Sequence, residues 1–470
     1  MTFRTLMASA SIVSLAMMAG CAQDDTETAE TPAVEETNVP TVEEARAFLD
    51  EADTELAALS KETAPVYWEQ ATNITDETNA AAAEAGARST KIGVEYANAT
   101  KRFKDVDLPP DLRRKMQRLQ GGLTLPAPST EGAAEELAEI TTGLDATYST
   151  GTYGFKNNIE EVEALLTEVN GAGSYDIDAL TLDQLSTIIE QSRNPEILKE
   201  AWEGWRTVSP PMKDDYARMV EIATAGAKEL GYKNVAEMWL SGYDMPADEM
   251  EAEVERLWTQ VSPLYDELHC FVRGELSDFY GSDVQPDTGP IRADLLGNMW
   301  AQSWGNIYDL VKPDEPMEVP DVTGALRDQG YDEIKMVKQA ESFFSSLGFE
   351  HLPETFWERS QFSKPADRDV QCHASAWNVD DKDDLRIKMC IQITGEEFNV
   401  IHHELGHNYY QRAYNQEPLL YRGSANDGFH EAIGDTIALS ITPKYLKEIG
   451  LIDFFHWSIH LDSEHRFVSI

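Results

Sequence analysis

Residues 402–410 read HHELGHNYY, and residues 428–435 read GFHEAIGD. Within the first stretch His403, Glu404 and His407 spell H-E-x-x-H. Each residue of an α-helix advances by about 100°, so side chains four apart share a face and both imidazoles can converge on one metal ion. Glu404 stands next to the first of them, close enough to hold a water without becoming a ligand itself. Two neutral imidazoles to retain Zn²⁺, and a carboxylate to take a proton from water, are what zinc-assisted hydrolysis requires.

Such a centre needs a third protein ligand and one open position. Glu431 meets that need. FHEAIGDTIALS reads as a second helix, with Glu431 and Asp435 four apart on one face. Glu431 would ligate the metal, and Asp435 would accept a hydrogen bond from the outer nitrogen of a ligand imidazole, fixing its tautomer. His402 and His430 point about 100° away from the ligand face and read as ordinary histidines.

HHELGH followed by GSANDGFHEAIGD resembles the zinc site of the angiotensin-converting-enzyme family, the peptidyl-dipeptidase A metallopeptidases. WEQATNITDET, EAWEGWR, GNMWAQSWGNIYDLV and QCHASAWNVDDKDDLRIKMC resemble that family too, in its order, up to about Ile452. The resemblance implies a mainly α, zincin-type helical fold with a small β-hairpin, a strand edge beside the zinc helix. It implies a peptidase that releases C-terminal dipeptides from oligopeptides, with Glu404 as general base. His373 would hydrogen-bond a substrate carbonyl, the backbone of Ala374 would pair with the peptide, and Gln302 would help hold its C-terminal carboxylate. Arg206 and Tyr243 match positions at the family's two chloride sites. Read alone, His373 is a surface strand histidine, Gln302 a polar residue in an aromatic helix, and Arg206 a cation stacked beside Trp205. Cys372 and Cys390 lie equally far from Asp381. A hairpin would set them opposite each other, and the family has a disulfide at the matching place. Cys270, left over in LYDELHCFV, reads as a buried small hydrophobe.

Acidic residues outnumber basic ones 84 to 38 in 470 residues, a formal charge of −46 that repels nucleic acid and anionic lipid. The N-terminus reads as a targeting segment over residues 1–20: Arg4, an apolar run from Leu6 to Gly20, then Cys21. Met18-Ala19-Gly20-Cys21 resembles a bacterial lipoprotein signal, which would make Cys21 a lipid-bearing anchor in a membrane of the cell envelope. Methionine in place of the commoner leucine leaves plain signal-peptidase cleavage open. Residues 22–40 carry six acids, two prolines and no basic residue, and read as a disordered tether.

A helical metallopeptidase domain is expected over 41–453. Thr41 and Glu44 form a T-x-x-E capping box, followed by an apolar stripe of Val42, Ala45, Leu49, Ala52, Leu56 and Leu59. A second helical run spans about Glu77 to Phe103, helices resume at Glu131 and Thr181, and Asn194-Pro195 opens the one carrying EAWEGWR. Asn73-Ile74-Thr75 matches a glycosylation sequon, though a bland reading is favoured there. Strand content is expected to be minor and concentrated near His373–Thr394. After ITPKYLKEIGLID the sequence departs from the family into a divergent tail, 454–470. That departure suggests a C-terminally truncated member with apolar surface on its zinc helices left exposed. The alternative is a remnant that binds zinc or peptide without efficient turnover.

Overall fold

The computed structural model describes residues 40–171, 175–313, 320–426 and 428–452. The targeting segment, Cys21, the tether as far as residue 39 and the divergent tail lie outside the described residues.

Helix α1 (Val42–Thr72) starts at the expected box: Thr41 Oγ1 accepts the Glu44 N–H at 3.1 Å, and Glu44 Oε2 accepts the Thr41 N–H at 2.7 Å. Ala45, Leu49, Ala52 and Leu59 of its stripe are buried. Thr75 caps α2 (Asp76–Ala99) in a reciprocal pair with Thr78, so the threonine of the Asn73-Ile74-Thr75 triplet serves helix initiation. Against this hairpin pack α3 (Pro110–Gly121) and α4 (Ala133–Ser149).

A second core forms around α5 (Ile159–Asn170), α6 (Leu182–Gln191) and α7 (Pro195–Trp205), beside the two-residue strands β1 (Thr152–Tyr153) and β2 (Leu180–Thr181). Then come α8 (Lys213–Leu230), which packs on α4, the short α9 (Val235–Leu240), and α10 (Ala247–Tyr280). Of the 34 residues in α10, only Val272, Leu276 and Ser277 are buried. Val254, Leu257, Trp258, Val261, Leu264, Leu268 and Phe271 recur at helical spacing along it and are exposed. Cys270 shares that uncovered length, so the expectation of a buried thiol is wrong: the thiol is exposed, and no neighbour among the described residues buries it.

GNMWAQSWGNIYDLV does not form the expected aromatic helix. Gly297 and Ala301 take left-handed backbone, φ 72° and 57°, and the Asn298 side chain accepts the Trp300 N–H at 2.8 Å. That local bond competes with helix formation. Only a 3-10 turn at Gly305–Ile307 and α11 (Tyr308–Val311) are helical, and Gln302 is exposed in the preceding loop.

The third core holds the two motif helices. It is built by α12 (Val322–Asp328), α13 (Glu333–Ser346), α14 (Glu354–Arg359), strands β3 (Ser375–Asn378) and β4 (Leu385–Lys388), α15 (Gly395–Tyr414), α16 (Phe429–Ala438) and α17 (Pro443–Glu448). β3 and β4 pair antiparallel, Ser375 opposite Lys388 and Asn378 opposite Leu385. That register is one residue off the symmetry about Asp381 implied by equal cysteine spacing. Cys372 and Cys390 are nevertheless joined, just beyond the paired residues, with Cα atoms 5.0 Å apart. On its far side β4 bonds to Gln361, and Ile391 beyond its end donates to the Phe362 carbonyl, whereas β3 has no second partner strand among the described residues. Phe429 and Leu439, at the two ends of α16, are exposed.

Candidate metal centre

Thr394 caps α15, its Oγ1 accepting the Glu397 N–H at 3.1 Å, and Glu396 complements the positive end of the helix. Two turns on, His403 and His407 share a face, with their Nε2 atoms 3.0 Å apart. α16 crosses α15 at this point. The main chains can meet because both helices carry glycine there: a Cβ at Gly406 would lie 3.1 Å from the Gly434 Cα, and one at Gly434 would lie 2.7 Å from the His403 ring. The crossing brings Glu431 to the imidazoles, its oxygens 3.2 Å from His403 Nε2 and 3.7 Å from His407 Nε2.

Three donors at these separations suit bonds of about 2.0–2.1 Å to one small ion, and the donor set of two imidazoles and a carboxylate fits zinc. Glu404 is a rival third donor, since an oxygen of it and the two imidazoles fall within 4.8 Å of one another. The closer approach of Glu431 to both Nε2 atoms favours Glu431. Glu404 is buried beside them with Oε2 lacking any partner, which is where an acceptor for a water proton is wanted.

The outer nitrogens differ in their partners. His403 Nδ1 faces the Asp435 carboxylate at 3.1 Å. His407 Nδ1 faces His430 Nδ1 at 3.2 Å, and His430 Nε2 lies 3.1 Å from the Tyr414 hydroxyl. His430 is therefore not the ordinary histidine expected from its angular position. Its spacing in the chain carried no such signal, but Tyr414 lies seven residues after His407, on the same face of α15, and offered a clue. His402 is fully buried, its Nδ1 2.7 Å from the Phe398 carbonyl, among Phe343, Phe398 and Tyr445.

Burial, then the neighbouring His403, push the His407 imidazole down to about 4, so it is neutral at pH 7 as a metal ligand must be. Burial and the Glu431 carboxylate push Glu404 up to about 7, with the Lys388 ammonium opposing them. Lys388 is itself buried, pushed down to about 8 for that reason, and donates to the carbonyls of Gln371 and His373 at 2.7 Å each. It thus grips the chain at both sides of Cys372. Nearby, burial and then the Glu396 carboxylate push Glu190 of α6 to about 7 and Glu397 to about 8, and burial raises Asp183.

The remaining expected residues fall in separate surroundings. His373 is exposed at the entrance to β3, with half-buried Ala374 beside it. Arg206 lies over the Trp202 ring, 3.4 Å from its centroid, rather than on Trp205, and donates to the carbonyls of Trp202 and Met299. It has no carboxylate partner among the described residues. The Tyr243 hydroxyl abuts Gly428, just before α16.

A helix bearing H-E-x-x-H, crossed by a second that supplies a glutamate, defines a zincin-type metal centre. Residues 39–464 match the family described as angiotensin-converting enzyme. The angiotensin-converting enzyme of Haematobia irritans exigua is 36% identical over 412 residues, 86% of this chain and 64% of the relative. That of Bos taurus is 35% identical over 87% of this chain and 30% of its own, and the angiotensin-converting enzyme-related protein of Drosophila melanogaster 41% over 58% and 44%. The chain belongs to the angiotensin-converting-enzyme family, whose members are zinc-dependent peptidases. It spans less than two thirds of the length of these relatives.

Proposed function

We propose that this protein is a zinc-dependent peptidyl-dipeptidase that removes C-terminal dipeptides from oligopeptides. The observation that carries the reading is the convergence of His403 Nε2, His407 Nε2 and a Glu431 carboxylate within 3.0–3.7 Å of one another, beside the orphaned Glu404 oxygen. Bound zinc would supply Lewis acidity toward a peptide carbonyl and toward water. Glu404 takes a proton from the attacking water and delivers it to the leaving amine. The open edge of β3 aligns the substrate as an added strand, the backbone of Ala374 pairing with it and His373 donating to a carbonyl. Gln302 helps hold the terminal carboxylate. Arg206 and Tyr243 each contribute to a chloride site, and the missing carboxylate partner of Arg206 supports that role. The chain is exported and held at an envelope membrane by lipid on Cys21. Among the described residues no helix is long and apolar enough to cross a membrane.

A second reading, binding of metal or peptide without efficient turnover, is favoured by one observation. The Glu431 and Asp435 side chains are 68% and 70% exposed, and water at that density weakens electrostatic contributions to catalysis. Zinc content and release of a C-terminal dipeptide from a blocked tripeptide, measured on the protein and its Glu404→Ala variant, separate the two. The peptidase reading expects equal zinc and a rate lower by about 100- to 10,000-fold in the variant. Zinc binding with no Glu404-dependent release would establish the second.

A further inference from the structure

His403 and His407 are equivalent as ligands only if both present an unprotonated Nε2. For His403 the choice is enforced by charge. Asp435 is a carboxylate, an acceptor only, so the ring proton must sit on Nδ1. For His407 the outer partner is another imidazole, which can donate or accept, so His407 needs a further condition.

We propose that His430 and Tyr414 form a neutral relay that sets the tautomer of His407, doing without charge what Asp435 does for His403. Two proton arrangements satisfy the pair of contacts. In one, His407 Nδ1–H donates to His430 Nδ1 and His430 Nε2–H donates to the Tyr414 oxygen. In the other, the Tyr414 hydroxyl donates to His430 Nε2 and His430 Nδ1–H donates to His407 Nδ1, which places the His407 proton on Nε2. Only the first leaves Nε2 free toward Glu431 and His403. Three different turns of backbone supply the parts. His407 and Tyr414 lie two turns apart on α15, and His430 enters from α16 one residue before the ligand Glu431. The same helix crossing therefore assembles both the metal donors and the relay behind one of them.

The inference rests on the zinc reading, and its test is zinc affinity rather than turnover. Zinc is titrated into the metal-free chain in competition with a chromophoric chelator, for the wild type and for His430→Asn, His430→Leu and Tyr414→Phe. Asparagine and leucine have the same shape, but only asparagine offers an acceptor near the position of Nδ1. Loss of a partner behind a ligand costs about 10- to 100-fold in metal affinity. His430→Leu is expected in that range, His430→Asn within about threefold of the wild type, and Tyr414→Phe between them. Thermal unfolding of the metal-free variants separates a packing effect from a relay effect. Equal affinities for the leucine and asparagine variants, whether both normal or both weak, would overturn the relay. Failure of the wild type to bind zinc would overturn the zinc reading and the relay with it, and is recognised because it precedes any substitution.

Discussion

α10 and α15 make an instructive pair. α10 is the longer helix and shows the more regular apolar stripe, yet three of its 34 residues are buried, against nine of 20 in α15. α15 is covered on one face by α13 and the hairpin and on another by α16, so even its polar residues His402, Asn408 and Gln411 are enclosed. Helical periodicity shows which face of a segment can be covered. It does not show that a neighbour covers it, and the contrast between these two helices is a contrast of neighbours.

Substitutions can test that contrast. Leu405, fully buried on α15, should cost about 2–5 kcal/mol when replaced by alanine, read from denaturant unfolding of the metal-free chain. A loss below 1 kcal/mol would mean that the α15 core is looser than described. Gly434→Ala should cost roughly 1–3 kcal/mol, because its Cβ meets the His403 ring, and should weaken zinc binding with it. Normal zinc affinity in a well-folded Gly434→Ala protein would show that the two helices can part without disturbing the donors.

The next effect depends on pH. Burial, Glu396, Asp183 and Glu190 hold the Glu397 carboxyl up at about 8, so between its ordinary value and about 8 the native chain binds more protons than the unfolded one. Its contribution to stability is complete below the ordinary value and is lost as pH rises through about 8. Glu397→Gln should flatten the stability curve over that range and gain on the order of 2 kcal/mol near its upper end, with no gain near its lower end. An unchanged slope would show that Glu397 is freely solvated. The smallest change is expected on α10, where Leu264→Ala should shift stability by less than about 0.5 kcal/mol. A loss as large as that of Leu405→Ala would mean that the exposed stripe is covered in solution.

Much of the metal centre could be read from the sequence because it depends on spacing within single helices. His403 and His407 are one turn apart, Glu431 and Asp435 another, and helical geometry places each pair on one face without help from the rest of the chain. The T-x-x-E box at Thr41 was legible for the same reason. What escaped needed two segments at once. The roles of His430 and Tyr414 exist only where α15 and α16 cross, and the grip of Lys388 on Gln371 and His373 depends on the hairpin register. The stretch around Gln302 was misread as helical because one asparagine side chain and two left-handed residues interrupt a segment whose composition suits a helix.

The glycine crossing of α15 and α16 also bears on how portable this centre is. Its ligand spacing is set by main chain resting on main chain, which leaves no side chain to trim or enlarge as a means of adjusting the donors. A transplant of His403, His407 and Glu431 onto two helices at ordinary packing distance, about 8–10 Å between axes, would hold the glutamate too far out to complete the set. The unit that can be grafted is the pair of helices with Gly406 and Gly434 in place, and a library that randomised those two positions should return metal binders only where glycine is restored.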